Sequence, residues 1–92
     1  MNDNKQEEHY STHLKVSCKF GLHARVAGRL VQEAQKCSSR ILICYADQKA
    51  DAKSIIEILM LAIGQGCTIE VSALGRDAMQ AVQRITACLQ EE

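Results

Sequence analysis

Apolar and polar residues change their spacing several times along the chain, and each change marks a boundary. Leu14, Val16, Cys18 and Phe20 alternate with Lys15, Ser17 and Lys19, the period-two pattern of a strand with one face buried and one in water. Gly21 breaks that alternation. Beyond His23 the period lengthens: Ala27, Leu30, Val31 and Ala34 recur at helical spacing among Arg25, Arg29, Gln32, Glu33 and Lys36, predicting an amphipathic helix that ends near Cys37-Ser38-Ser39. Residues 40–45, with the compact apolar run Ile41-Leu42-Ile43 and its two β-branched isoleucines, and the short stretch 49–52 predict a hairpin across Ala46-Asp47-Gln48. Ser54-Ile55-Ile56-Glu57 has the form of a capping box, in which the serine accepts from the third amide and the glutamate reaches back. The helix it opens is expected to run to Ile63 and stop at Gly64-Gln65-Gly66. Cys67, Ile69, Val71 and Ala73 alternate with Thr68, Glu70 and Ser72 as a last strand. Asp77 is then placed to cap a final helix whose inner face is Ala78, Ala81, Val82, Ile85 and Cys88 or Leu89.

The order is β-α-β-β-α-β-α. Three helices with one apolar stripe each can cover one face of a four-stranded antiparallel sheet while its other face meets water, so the expected class is α+β, an open-faced β-sandwich. Ninety-two residues without proline or tryptophan suffice for one small domain. Residues 1–12, with few apolar positions and the pair Glu7-Glu8, read as a flexible N-terminal extension, leaving 13–92 as the folded domain.

Charge and cysteine content narrow the function. Eleven basic and eleven acidic residues cancel, which disfavours a nucleic-acid binder, since phosphate-backbone affinity needs a basic stripe. The five cysteines, Cys18, Cys37, Cys44, Cys67 and Cys88, contain no Cys-x-x-Cys pair. They read as reduced core thiols rather than zinc ligands or a disulfide framework. The N-terminus has no apolar signal core and no stretch reaches 18 apolar residues, so a cytoplasmic protein without membrane insertion is expected. His9 and His13 have no ligand-spaced partners and read as incidental; no metal or cofactor is expected. Glu91-Glu92 reads as a solvated end.

His23 is the candidate reactive group. It lies where a strand has ended, a glycine has turned the chain and a helix begins, so it faces free backbone amides that favour a phosphate or other anion. Arg25 adds a cation able to pair with phosphoryl oxygens, and imidazole is a competent nucleophile near neutral pH. On spacing alone, a polar helix cap with an incidental arginine accounts for the same residues. The helix from Ser54 is overloaded: Ile55, Ile56, Ile58, Leu59, Met60, Leu61, Ala62 and Ile63 surround the single polar Glu57, more than one helix on a sheet can bury. Ile55, Ile56 and Leu59, with the small Ala24 and Gly28 on the first helix, are the expected partner-docking face; a deeper core or a dimer is the alternative.

The segment Gly21-Leu22-His23-Ala24-Arg25-Val26-Ala27 resembles the active-site signature of HPr, the histidine-containing phosphocarrier family of the bacterial phosphoenolpyruvate-dependent phosphotransferase system. Ala52-Lys53-Ser54-Ile55 resembles that family's regulatory-serine segment, and Leu59-Met60-Leu61-Ala62, Gly64-Gln65-Gly66 and Ile69-Glu70-Val71 follow in the family's order. The resemblance spans about residues 13 to 90. It implies a stoichiometric phosphoryl carrier rather than an enzyme, expected to be monomeric. His23 would accept phosphate on Nδ1 from Enzyme I and pass it to Enzyme IIA components for sugar uptake, with Arg25 steadying the phosphoryl oxygens. Ser54 would be the site of a kinase/phosphorylase and of docking to a transcriptional regulator. A nitrogen-related phosphotransfer paralogue, or a regulatory binding module acting through phospho-Ser54, are the other readings. Val26 stands where the family usually has proline, in the first helical turn, where proline's missing donor is no loss. Arg25, Arg29, Lys19 and Lys53 are expected to converge around His23, with Glu7, Glu8, Glu91 and Glu92 at the chain ends, so that a neutral total conceals an electropositive site.

Overall fold

In the computed structural model, which describes residues 8–92, seven elements follow in the expected order. They are β1 (Glu8–Lys15), α1 (Ala24–Ala34), β2 (Arg40–Tyr45), β3 (Gln48–Asp51), α2 (Ile55–Met60), β4 (Thr68–Gly75) and α3 (Ala78–Gln90). The strands form one sheet in the order β1-β4-β2-β3 with every neighbouring pair antiparallel. Side chains alternate across it. Ile41 and Ile43 of β2, Ala50 of β3 and Ile69, Val71 and Ala73 of β4 face the helices and are buried. They meet Val26, Ala27, Leu30 and Ala34 of α1, Ile58 of α2, and Ala78, Ala81, Val82, Ile85, Cys88 and Leu89 of α3 in a single core. Leu42, Cys44, Glu70, Ser72 and Leu74 alternate onto the opposite, uncovered face.

The first strand corrects the sequence expectation. It begins at Glu8, so residues 8–12 belong to the fold and not to an extension; residues 1–7 of the expected extension lie outside the described residues. The polar stretch pairs residue by residue with β4, from Glu8 opposite Gly75 to Lys15 opposite Thr68. An edge strand is held by its backbone ladder and needs few buried side chains, which explains why apolar alternation missed it. Val16 and Cys18 are buried beyond the strand's end, whereas Phe20 is 73% exposed.

Two further boundaries shift, and one expected cap is absent. The β2–β3 turn is only Ala46 and Asp47, with φ of 51° and 65°, so that Gln48 already pairs with Tyr45; positive φ at both central residues matches the turn to the twist of the strands. Helix α2 ends at Met60, and the chain reverses at Ala62 with φ 52°, before the glycines. Asp77 gives no side-chain cap to α3. Its carboxylate instead accepts from the amides of Ser38 at 3.0 Å and Ser39 at 2.9 Å and from the Ser39 hydroxyl. All five cysteines are free thiols, but only Cys18, Cys37 and Cys88 are buried. Cys44 lies half-buried on the open face, and Cys67 donates to Tyr45 Oη at 3.2 Å. No described helix is long and apolar enough to cross a membrane.

Candidate functional site

The segment that carries His23 is fastened from both sides. Gly21 donates to the Cys18 carbonyl at 2.9 Å, and Leu22 donates to the Ile63 carbonyl at 2.9 Å, while the side chains of Cys18 and Leu22 enter the core. Gly21 itself has φ 70°, and a Cβ there would stand 2.2 Å from the Ile63 carbonyl oxygen. Only glycine fits this left-handed, close approach. The chain then emerges with His23 half-buried at the N-cap of α1 in extended conformation, its carbonyl accepting from Ala27 at 2.8 Å.

The His23 side chain makes no cap bond. The first-turn amides of Ala24, Arg25 and Val26 have no acceptor within the helix, and the helix dipole concentrates positive potential where they point. Val26 is fully buried. With valine in place of proline, a third amide remains in this turn. The imidazole thus stands beside a helix end of the kind that favours an anion.

The charges around this end differ from the expected clustering. Arg25 Nη1 stands 2.9 Å from Glu92 Oε1, Arg29 Nη2 stands 3.0 Å from Glu91 Oε1, and Arg29 Nη1 also pairs with Glu92 Oε2. The two glutamates expected at a solvated end therefore fold onto the arginines, and the Glu92 side chain is only 3% exposed. Desolvation pushes the Glu92 carboxyl up, but hydrogen bonds and charge from Arg29 and Arg25 outweigh it and hold the group below its ordinary value. Lys53 does not join the site: its ammonium donates to the Cys37 carbonyl at 2.9 Å, beyond the far end of α1. Lys19 lies over the Phe20 ring, 5.5 Å from its centroid, and that ring meets the His23 imidazole edge-on at 6.3 Å.

Ser54 is the N-cap of α2, accepting from the Glu57 amide at 3.3 Å. The reciprocal half of the capping box is missing, because Glu57 Oε1 accepts from the Asp51 amide at 2.8 Å instead. The Ser54 amide is taken by the Asp51 carbonyl. Of the expected docking residues, Ala24, Ile55 and Ile56 are exposed, whereas Gly28 and Leu59 are half-buried. A Cβ at Gly28 would lie 3.8 Å from Ile55 Cδ1, so α1 and α2 do meet there. Among the described residues, the two most exposed large apolar side chains, Met60 at 76% and Phe20 at 73%, were not among the expected docking residues. The helical spacing of Met60 away from buried Ile58 could have found the first; Phe20 was hidden by an alternation that outlasts its strand. Among the described residues no group of three or more histidines, cysteines and carboxylates could hold a metal ion.

Residues 10–91 match the family model described as the PTS HPr component phosphorylation site. Over 80 residues the chain is 36% identical to the phosphocarrier protein HPr of Haemophilus influenzae, covering 87% of this chain and 94% of that protein. It is 39% identical over 79 residues to the HPr-like protein Crh of Halalkalibacterium halodurans, covering 86% and 94%. Among solved structures, HPr of Thermoanaerobacter tengcongensis is similar with a TM-score of 0.86 at 34% identity, over 89% of this chain and 92% of that one.

Proposed function

Because the chain belongs to the HPr family of phosphocarriers, we propose that His23 accepts a phosphoryl group on Nδ1 from phospho-Enzyme I and hands it to Enzyme IIA components for sugar uptake. The observation that carries this reading is the placement of His23 at the N-cap of α1 with no cap bond of its own, two residues before Arg25. In the transfer an imidazole lone pair attacks phosphorus, the N–P bond forms as the donor–phosphorus bond breaks, and the donor keeps the electron pair of that bond. The phosphoryl oxygens are then met by first-turn amides and the dipole of α1, and by Arg25 once its guanidinium turns from Glu92. The reverse step, to a second acceptor, restores the free imidazole, so the protein is regenerated stoichiometrically rather than acting as an enzyme.

The exposed apolar side chains of α2, Ile55 and Ile56, with Leu59, Ala24 and Gly28, supply the face against which these larger partners dock. Ser54 is a regulatory phosphorylation site for a kinase/phosphorylase. A phosphate there adds about −1.5 to −2 charges at a helix N-terminus, which tolerates them, so its effect falls on docking, including docking to a transcriptional regulator, rather than on folding. The similarity to an HPr-like protein at 39% identity supports a second reading, a module that acts only through phospho-Ser54. His23 and Arg25 favour the carrier, since such a module has no use for a nucleophile. The test is a two-step chase: phosphoenolpyruvate with a sugar-type or a nitrogen-type Enzyme I, then Enzyme IIA. Passage of label through this protein from the sugar-type enzyme is expected; labelling by the nitrogen-type enzyme alone would reassign it to that branch, and labelling by neither would favour the regulatory module.

A further inference from the structure

Phe20 is a large apolar side chain, 73% exposed, on a backbone that leaves it little freedom to be elsewhere. Cys18 and Leu22 on either side are buried, and the Gly21 turn between them is closed by hydrogen bonds to Cys18 and Ile63. No core contact rewards this exposure. What the ring does meet is His23, edge-on, with centroids 6.3 Å apart and planes at 71°, within the range of favourable T-shaped pairs. Its face is covered by the Lys19 ammonium at 5.5 Å, inside cation–π reach. Rotation about the last bond of a histidine side chain has broad, shallow wells. A neighbouring ring at one edge narrows them and occupies space that water would otherwise fill.

We propose that Phe20 is a positioning residue for His23: its ring holds the imidazole in one orientation beside the first turn of α1 and keeps water from the phosphorylated ring, thereby setting the lifetime of the phosphohistidine. The inference deepens the carrier reading and rests on His23 as the phosphoryl acceptor. The competing reaction it suppresses is hydrolysis. A water oxygen bonds to phosphorus, the N–P bond breaks with its electron pair returning to the imidazole, one water proton goes to that nitrogen, and inorganic phosphate leaves. A carrier that must diffuse between two partners gains from slowing this step.

The test uses the full chain with His9→Gln and His13→Gln, so that His23 is the only histidine, compared with the same chain carrying F20A or F20Y. Phosphoramidate serves as the donor: its P–N bond breaks, ammonia leaves and the His23 N–P bond forms, with no need for Enzyme I. After the donor is removed, loss of phosphohistidine is followed by phosphorus NMR. F20A is expected to lose label about three- to ten-fold faster, the range set by an aromatic pair's worth, and F20Y to stay within about two-fold of the parent. Equal lifetimes for F20A and the parent would overturn the proposal, as would a fast F20A that tyrosine does not rescue. Failure of Enzyme I alone to label His23, with the F20A difference intact, would count against the carrier reading and leave the role of Phe20 supported.

Discussion

The guanidinium of Arg25 stands 2.9 Å from the Glu92 carboxylate, 67 positions further along the chain, and the two are exposed to opposite degrees, 65% for Arg25 and 3% for Glu92. The cation proposed to receive phosphoryl oxygens is thus already engaged by an anion in the unphosphorylated protein. On the proposed reading, Glu92 competes with the phosphoryl oxygens for Arg25.

Glu92→Gln removes that competitor. The phosphorylation equilibrium with Enzyme I should move toward phospho-His23 by about two- to five-fold at low salt, a modest change because much of Arg25 is solvated. The gain should shrink as ionic strength rises. Titrating the phosphorylated fraction against the phosphoenolpyruvate to pyruvate ratio reads this out, and an unchanged or lower fraction would mean that Glu92 does not compete.

Gly21→Ala places a methyl 2.2 Å from the Ile63 carbonyl oxygen at φ 70°. The strain and the displaced backbone should cost at least about 2 kcal/mol, a fall in Tm on the order of 10 °C. Thermal unfolding followed by circular dichroism measures it. A Tm within two or three degrees of the parent, roughly the reach of an ordinary surface change, would show that the Gly21–Ile63 contact can relax.

How much of this was legible before the structure depends on which force does the holding. Helix α1 and its junction at His23 were visible because their apolar spacing changes period where the backbone does, and the inward face of β4 was visible for the same reason. The start of β1 was not, since an edge ladder of backbone bonds leaves no apolar signature in Glu8–Thr12. The hairpin at Ala46-Asp47 was expected, but its two-residue length and the reversal at Ala62 were not, because all three residues adopt positive φ without glycine. Asp77 looked like a cap because it precedes α3, yet its carboxylate is spent on Ser38 and Ser39. The Arg25–Glu92 pair depends on α3 lying beside α1, a tertiary fact that no local spacing encodes.

Asp77 makes the chain acid-sensitive in a defined direction. The Ser39 hydroxyl, and against desolvation the amides of Ser38, Ser39 and Asp77 itself, hold its carboxyl below the ordinary value. A folded-state pKa below the unfolded one contributes stability fully above the unfolded pKa of about 4, and that contribution is lost as pH falls through the depressed folded value. Asp77→Asn should destabilise by about 2 kcal/mol near neutrality and flatten this acid limb. Urea unfolding at a series of pH values checks both; parallel curves for the two proteins would remove Asp77 from the account.

Val26→Pro deletes an amide from the first turn of α1, where it has no acceptor within the helix. Phosphorylation of His23 should survive. Loss of labelling in a folded V26P protein would make the Val26 amide an essential donor.

Ser54→Ala should cost about 1 kcal/mol as a lost N-cap and abolish phosphorylation by a kinase/phosphorylase of this family. Site mapping after the kinase reaction decides it, and full labelling of S54A would place the modification elsewhere.

The central claim is that His23 is the phosphoryl acceptor. It is tested most directly by incubating the ring-¹⁵N-histidine protein with phosphoenolpyruvate and Enzyme I and recording phosphorus–nitrogen coupling in the histidine rings. The account predicts coupling to Nδ1 of His23 and acid-labile phosphate that is absent from His23→Ala. Phosphate on His9 or His13, or undiminished acid-labile label in the alanine variant, would contradict it.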